Sequence, residues 1–274
     1  MIILMNSIIT FTSDFSGQGH YTGEVKGSIL SINPEAKIVD ITHQVAAHNL
    51  LDAAYIISQC YASFPYGTVH LVVVDPGVGS SRRSIILEAD HHFFVAPDNG
   101  ILSLVYQQAE IQKVISIEAE HYFRRPVSPT FHARDIFAPV AAHISMGFLI
   151  TSFGPEISDY VKLTLPANQE VRPGCWEGFI LHIDRFGNII TSLRPRDIGE
   201  SCGYNFKISE FLIKGQSITR HVDHYAEGGE DEVFSLVSSG GFYEIAGLKK
   251  SAAAALDARR GMKVELKVKK ILEQ

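Results

Sequence analysis

Asp75 opens the segment of the sequence with the strongest chemical pattern. It follows an apolar run and begins a loop, DPGVGSSRR, that contains two glycines and two arginines. An acid at the carboxyl end of a buried strand lies where α/β sheets bind ligands, and glycines let the backbone approach a ligand closely. The alternative is a tight turn with a surface Asp–Arg pair. The segment alone does not separate these two interpretations.

His132 lies in a second candidate segment, TFHARD, directly before a predicted helix. It could act as a catalytic or orienting group there. The alternative is a capping segment in which Asp135 interacts with the positive end of the helix dipole. The chain has 12 histidines, so a single histidine is weak evidence. The pairs His91–His92 and His221–His224 lack the carboxylate or third histidine of a zinc site, and we expect no metal.

Three other turns contain acidic or amide side chains that could bind a ligand, but none of them identifies a function by itself. Asp14 comes just after the first predicted strand, where a carboxylate could accept both hydroxyl protons of a ribose or could cap a turn. The segment APDNG, which contains Asn99, leads from a strand into a helix. The segment DRFGN, from Asp184 to Asn188, would pass as a hairpin turn.

Composition places the chain among ordinary globular proteins. Its 274 residues include 24 Lys and Arg against 30 Asp and Glu, a formal net charge of −6, and 46% are hydrophobic. This excludes a wholly disordered chain and argues against a non-specific DNA binder, which needs a basic face. The acidic composition does not exclude a nucleotide or nucleoside as the ligand. The three cysteines, Cys60, Cys175 and Cys202, are far apart and form no disulfide framework.

Secondary-structure elements have to position the candidate residues. From Ile8 to Gly147, short apolar runs typical of strands alternate with helical patterns. The pattern predicts an α/β layered domain with a central sheet over residues 1–152. Its predicted strands are Ile8–Thr12, Ile38–Ile41, Thr68–Val74, Ser84–Glu88, Phe93–Ala96 and Lys113–Ile117. Its predicted helices are Tyr21–Ile32, Leu50–Cys60, Gly100–Gln107 and Asp135–Gly147.

A proline-containing segment, residues 153–175, is predicted to link this domain to a second one. Over residues 176–274 the hydrophobic pattern repeats every two residues. For example, Met262, Val264, Leu266 and Val268 alternate with charged residues, as in a strand with one solvent-exposed face. Many short strands with glycine-rich turns predict a small all-β barrel or sandwich. A short helix is predicted over Ser251–Arg259.

The apolar N-terminal segment MIILMNSIITF lacks the basic region and the cleavage site of a signal peptide. No stretch approaches the ~20 apolar residues of a membrane span. We therefore expect a cytoplasmic protein without a membrane partner.

Taken in order, the segments resemble one family: the S-adenosyl-L-methionine (SAM) hydroxide adenosyltransferases. These are also called adenosine-forming SAM hydrolases and are relatives of the SAM-dependent fluorinase and chlorinase. The resemblance runs from about Ile9 to about Leu256. The blocks that carry it are TSDF, NPEAKIVDITHQV, FPYGTVHLVVVDPGVGSSRR, APDNG, TFHARDIFAPVAA, IDRFGN and SSGGFYEIA. The chain departs from the family pattern at His20, Ala133 and Ser238, where an acid, a glycine and an asparagine are usual.

The resemblance implies an N-terminal α/β domain joined to a C-terminal β-barrel, and a homotrimer that binds SAM between subunits. It implies cleavage of SAM by water into adenosine and L-methionine, with no metal or redox cofactor. The family's catalytic Asp, Arg and His correspond to Asp75, Arg82 and His132. The resemblance makes seven further residues candidates for binding SAM: Asp14, Asn99, Asp184, Asn188, Ser239, Glu244 and Ala246.

Because the sulfonium departs as neutral methionine, the difficult step is to present a nucleophile in line with the C–S bond. We hypothesise that Arg82, paired to Asp75, and His132 hold one water opposite the sulfur. Two alternatives stay open. One is an anion such as chloride as the nucleophile, although the VDPGVG form of the loop favours water. The other is a non-catalytic SAM or adenosine binder, which would not need the trio.

Overall fold

The chain divides into two units, the first ending at Leu163 and the second beginning at Thr164. This boundary falls inside the segment 153–175, which the sequence predicts as a linker. The computed structural model describes three stretches of chain, residues 7–202, 206–230 and 232–270. The first six residues, which belong to the segment considered as a signal peptide, and the side chain of Cys202 lie outside that description.

A mixed six-stranded sheet forms the centre of the first unit. Its strands are β1 (Ile8–Ser13), β2 (Lys37–Thr42), β3 (Val69–Val73), β4 (Ser84–Ala89), β5 (His92–Pro97) and β6 (Ile111–Ser116). They lie in the order β2-β1-β3-β5-β4-β6. The pairs β1–β2, β1–β3 and β3–β5 are parallel, whereas β4 is antiparallel to both of its neighbours.

Helices cover both faces of this sheet, and they confirm the predicted α/β class. They are α1 (Tyr21–Ile32), α2 (Leu50–Cys60), α3 (Ser103–Gln108) and α4 (Ala138–Ser145). In β3, Leu71 and Val73 pack into the core that contains α1 and α4, whereas Val72 packs into the core that contains α2 and α3. Every residue of β3 is buried, as its continuous apolar run predicts.

The predicted helix Asp135–Gly147 is in fact two elements. A π-helical turn, Ala133–Phe137, precedes α4. Pro139 lies in the first turn of α4 and has no N–H to donate to the carbonyl of Asp135, four residues earlier. That carbonyl instead accepts a hydrogen bond of 2.9 Å from the backbone N–H of Arg124. The irregular turn thus connects the start of α4 to the loop that carries His132.

The second unit is an antiparallel sheet that nearly closes into a barrel. Its strands are β7 (Gln169–Arg172), β8 (Cys175–Ile183), β9 (Ile189–Thr191), β10 (Phe206–Ile213), β11 (Gln216–Ile218), β12 (Val233–Val237), β13 (Tyr243–Gly247) and β14 (Lys263–Lys270). They lie in the order β11-β10-β14-β8-β9-β13-β12, with β7 beside β8. Beyond β11, backbone hydrogen bonds join Arg220 and Val222 to Ser235 of β12, which brings the two ends of the sheet together.

Two short helices complete this unit: α5 (Pro195–Cys202) and α6 (Ala252–Ala255). The predicted alternation in β14 is confirmed, because Val264, Leu266 and Val268 are buried. The helix predicted over Ser251–Arg259 is shorter and begins with a cap in which Ser251 Oγ accepts from the N–H of Ala254 at 3.0 Å. Among the described residues, no helix has both the length and the apolar character needed to cross a bilayer.

Candidate active site

The loop that begins with Asp75 leaves β3 at the carboxyl end of the strand. Beside it, the side chain of Asn99 donates from Nδ2 to the carbonyl of Val74 at 2.9 Å and accepts from the N–H of Ile101 at 3.1 Å. Asn99, a predicted substrate-binding residue, thus uses its side chain to join the ends of two neighbouring strands. It supports the backbone next to Asp75.

Gly79 allows this loop to pack against the loop that carries His132. Its φ is +80°, and a Cβ at this position would lie 2.3 Å from the carbonyl oxygen of Pro129. No side chain other than hydrogen fits such an approach without displacing the backbone. The contact brings Asp75 and Arg82, from one loop, close to His132, from the other.

The three predicted catalytic residues form one hydrogen-bonded group. Arg82 donates from Nε to Oδ1 of Asp75 at 2.9 Å and from Nη2 to Oδ2 of the same carboxylate. Arg82 Nη2 also donates to Nδ1 of His132 at 3.0 Å. Arg82 therefore lies between the other two side chains and fixes both.

All five N–H groups of Arg82 have acceptors within the protein. Beyond the three bonds to Asp75 and His132, Nη1 donates to the carbonyl of Arg83 at 3.3 Å and to Oγ of Ser84 at 3.1 Å. The guanidinium also lies 5.2 Å from the centre of the Phe137 ring. The sequence hypothesis gave Arg82 a direct part in holding the water. In the structure, its N–H groups donate to protein acceptors instead.

The contact with Arg82 also determines the tautomer of His132. Arginine can only donate, so Nδ1 of His132 accepts and the proton of the neutral ring is on Nε2. Burial lowers the pKa of His132 below its ordinary value of 6.5, and the positive charge of Arg82 lowers it further. Asp75 and Asp135 act in the opposite direction. His132 is therefore neutral near pH 7 and offers an Nε2–H donor.

Asp75 and His132 line a cavity of about 370 Å³ in the first unit. Arg82 is not among the residues that line it. Asp14 lies in the same wall, as do three aromatic residues that contact one another edge to face or tilted, Phe15, Tyr21 and Phe131. The cavity thus combines an apolar wall with two carboxylates and the imidazoles of His48 and His132, and an apolar lining with a few polar groups is typical of ligand sites.

Asp14 is held by the backbone of His48. The N–H of His48 donates to Oδ2 of Asp14 at 3.0 Å, and His48 adopts a left-handed φ of +63°. Among the described contacts, Oδ1 of Asp14 has no partner, so it can accept a hydrogen bond from a ligand. Sequence reasoning missed His48 and the aromatic wall, because nothing in their spacing indicates a shared cavity.

The second unit contains a separate cavity of about 570 Å³, lined by Asp184 and Asn188 among others. Oδ1 of Asp184 accepts the N–H of Phe186 and of Asn188, each at 2.8 Å, and its Oδ2 accepts from Nδ2 of Asn188 at 3.1 Å. These bonds close the turn that joins β8 to β9. Phe186, which lies in this turn, is 74% exposed.

The other predicted binding residues of this unit occupy different environments. Glu244 is buried and accepts from the hydroxyl of Tyr225 at 2.7 Å, and Tyr225 lines the cavity of this unit. Burial raises the pKa of Glu244, while the Tyr225 bond opposes that rise. Ser239 is exposed in the turn between β12 and β13. Ala246 is fully buried opposite Phe234, so its side chain packs in the core.

Comparisons with known proteins match both units. Residues 9–154 match the model of the SAM hydroxide adenosyltransferase N-terminal domain, and residues 178–265 match that of the C-terminal domain. The chain belongs to this family, which confirms the resemblance found in the sequence.

Named relatives fall into two groups. The chain is 33% identical to the (R)-S-adenosyl-L-methionine hydrolase of Methanocaldococcus jannaschii, with 91% of this chain and 92% of the relative covered. It is 31% identical to the protein of that name from Thermus thermophilus, over 94% and 98% of the two chains. A fluorinase of an Actinoplanes species is 26% identical, over 86% and 89%. A crystal structure of an uncharacterized conserved protein from Thermotoga maritima superposes with a TM-score of 0.87 at 32% identity, covering 94% of this chain and 99% of that one.

Proposed function

We propose that the protein hydrolyses SAM at the ribose 5′-carbon and releases adenosine and L-methionine. The observation that carries this proposal is the position of Arg82, which holds Asp75 and His132 side by side in the wall of one cavity. A protein that only bound SAM would not need a carboxylate and a neutral imidazole fixed together. The names of the relatives at 31% and 33% identity support the same reaction.

The reaction forms a C5′–O bond and breaks the C5′–S bond. The electron pair of the broken bond stays on sulfur, so methionine leaves neutral and needs no general acid. The attacking water keeps one proton as the 5′-hydroxyl of adenosine and loses the other. The protein therefore has to orient water in line with sulfur and to accept one proton.

The geometry supports Asp75 as the group that accepts this proton. His132 already accepts from Arg82 at Nδ1 and carries its own proton on Nε2, so it offers a donor to the water. Each carboxylate oxygen of Asp75 accepts from Arg82 and retains a second lone pair. Water held by Nε2–H of His132 and by Asp75 would keep one lone pair for C5′. Arg82 keeps the arrangement in place and stays a cation.

Asp14 is proposed to bind the ribose hydroxyls through its free Oδ1, and the aromatic wall formed by Phe15, Tyr21 and Phe131 is proposed to contact the nucleoside. Asp184 and Asn188 are proposed to hold the methionine part. The relatives are named for (R)-S-adenosyl-L-methionine; because L describes the amino acid, R describes the sulfonium. We propose that this chain also prefers that epimer.

We further propose a homotrimer in which each active site takes residues from two neighbouring subunits. The family resemblance supports this assembly. The division of the candidate residues supports it as well, because Asp75 and His132 line a cavity in the first unit and Asp184 and Asn188 line one in the second. Threefold closure would satisfy every head-to-tail contact. The free thiols Cys60 and Cys175 support a reducing, cytoplasmic location.

Chromatography of SAM incubated with the purified protein tests the proposal. It predicts adenosine and methionine in equal amounts, and faster loss of the R epimer from a sample that contains both sulfonium epimers. A 5′-halo-adenosine formed in the presence of chloride would instead place the chain with its halogenating relatives. Binding of SAM without any product would leave the chain as a SAM binder.

A further inference from the structure

Asp135 is a buried carboxylate that lies outside the cavity and has four hydrogen-bond donors. Its side chain is 0% exposed. Oδ1 accepts from Nη1 of Arg124 at 3.1 Å and from Nε of Arg134 at 2.7 Å. Oδ2 accepts from the N–H of Ser128 and from Nη2 of Arg134, both at 2.9 Å. A buried charge satisfied in this way holds its donors in one arrangement.

These donors come from the loop before His132 and from the helical turn after it. Arg124 is at the start of the loop, Ser128 is in its middle, and Arg134 follows His132. The backbone of Arg124 is bound as well, because its N–H donates to the carbonyl of Asp135 at 2.9 Å. Asp135 therefore fixes the path of the whole segment that places His132.

The same segment makes the contact that decides where His132 meets Arg82. The carbonyl of Pro129, next to Ser128, lies against Gly79 of the Asp75 loop, where even a Cβ would not fit. A shift of the segment would therefore also change the 3.0 Å contact between Arg82 and His132. Asp135 is thus connected to the reacting groups through His132.

Arg134 ties this arrangement to the body of the first unit. Its Nη1 donates to Oε2 of Glu24 at 2.7 Å, and its carbonyl accepts from Oγ of Ser28 at 2.8 Å. Both partners belong to α1. The guanidinium also lies 4.9 Å from the centre of the Phe131 ring, in the wall of the cavity. Asp135 thus orients a side chain that supports the wall.

We infer that Asp135 is a positioning residue for SAM hydrolysis, which holds His132 against Arg82 through the loop from Arg124 to Phe131. The inference rests on the proposed function for its kinetic consequence, but its structural consequence for His132 does not depend on turnover. Removing these bonds is expected to lower kcat by a larger factor than it raises KM for SAM.

Two adjacent arginines provide a matched test. The side chains of Arg124 and Arg125 are 52% and 58% exposed, but Arg124 donates to Asp135 whereas Arg125 donates to the exposed Glu120. Arg124→Ala should lower kcat by about tenfold, within the range found for a small misplacement of catalytic groups, and Arg125→Ala should leave it unchanged. Equal effects of the two substitutions would overturn the inference.

Asp135→Asn gives a stronger test when it is combined with His132→Ala. Alone, Asp135→Asn should lower kcat by about 10- to 100-fold. In a chain that already has His132→Ala it should cause almost no further loss, because the residue it positions is gone. Losses that multiply would show that Asp135 does not act through His132. If Asp135→Asn does not fold, combining Arg124→Ala with His132→Ala makes the same comparison.

Nitrogen-15 NMR of the His132 ring separates a failure of this inference from a failure of the proposed function. In the wild-type chain the proton is expected on Nε2. In the Arg124→Ala chain part of the population should change to the Nδ1–H tautomer, whether or not the protein turns over SAM. An unchanged tautomer in that variant and in Asp135→Asn would overturn the positioning role. Absence of turnover in the wild type would count against the proposed function alone.

Discussion

Arg82 donates a hydrogen bond from Nη2 to Nδ1 of His132 across 3.0 Å, and this contact fixes the chemistry available to both residues. His132 has to accept at Nδ1, so it is a neutral donor and not a free base. Arg82, with its other N–H groups bound to Asp75, Arg83 and Ser84, acts as a rigid connection. The proposed mechanism follows from this connection.

Replacing Arg82 with lysine should therefore remove most of the turnover although the positive charge is kept. Lysine lacks the planar fork that binds Asp75 and His132 together. We expect kcat to fall by about 10²- to 10³-fold, the scale for loss of one preorganised group, with a smaller change in KM. Arg83→Lys is the control, because the neighbouring Arg83 pairs with Asp98 and Asp159 instead. Similar losses in both variants would contradict the account.

The pH dependence of kcat should report the neutral state of His132. Its pKa is lowered below 6.5, first by burial and then by Arg82, so the active neutral form persists as the pH falls past 6.5. Protonation would put a proton on Nδ1 and break the bond from Arg82. Activity should therefore be constant from pH 8 to about pH 6.5 and decline only below it. A profile whose acidic half-point lies above pH 7 would argue against this state.

Substitutions of the two cavity carboxylates should separate chemistry from binding. Asp75→Ala is expected to remove most turnover and to leave SAM binding largely intact, because Asp75 acts at the water. Asp14→Ala should weaken binding by about 1–3 kcal/mol, since it removes a ribose partner. Calorimetry of both variants with SAM measures the split. If both lose affinity to the same extent, the assignment of roles is wrong.

Mixed assemblies test the proposal that sites are shared between subunits. Chains with Asp75→Ala and chains with Asp184→Ala should each be inactive. Co-expressed, they should regain about a quarter of the wild-type activity, because one interface in four would pair two intact halves in a closed trimer. Asp75→Ala with His132→Ala is the control, since both changes remove catalytic groups of the first unit and no pairing of these chains gives an intact site. A monomeric mass by light scattering and no recovery would defeat the shared site.

The sequence predicts the regular elements of the first unit well, because their signals are local. Helices α1 and α2 span the residues whose helical spacing predicts them. Asn49 caps α2 by accepting from the N–H of Asp52 at 3.0 Å, which is a contact between neighbours. The π-helical turn before α4 was not predictable in this way. Pro139 leaves the carbonyl of Asp135 without its helical donor, but no local pattern indicates that the N–H of Arg124 takes that place.

In the site, too, the sequence predicts some features, whereas others depend on how distant segments pack. The family resemblance identifies Asp75, Arg82 and His132, and the structure brings them together. It does not say that Arg82 lies between the other two with all of its donors occupied, because that depends on how two distant loops pack at Gly79. Residue type likewise could not show that the side chain of Ala246 would be buried in the core.

The origin of the new oxygen atom tests the central claim most directly. SAM incubated with the protein in ¹⁸O-labelled water and physiological chloride should give adenosine that carries the label at its 5′-oxygen, with an equal amount of methionine. This outcome requires water to attack C5′ as the C–S bond breaks. Formation of 5′-chloro-adenosine, 5′-methylthioadenosine or S-adenosylhomocysteine, or of adenosine without the label, would contradict the account.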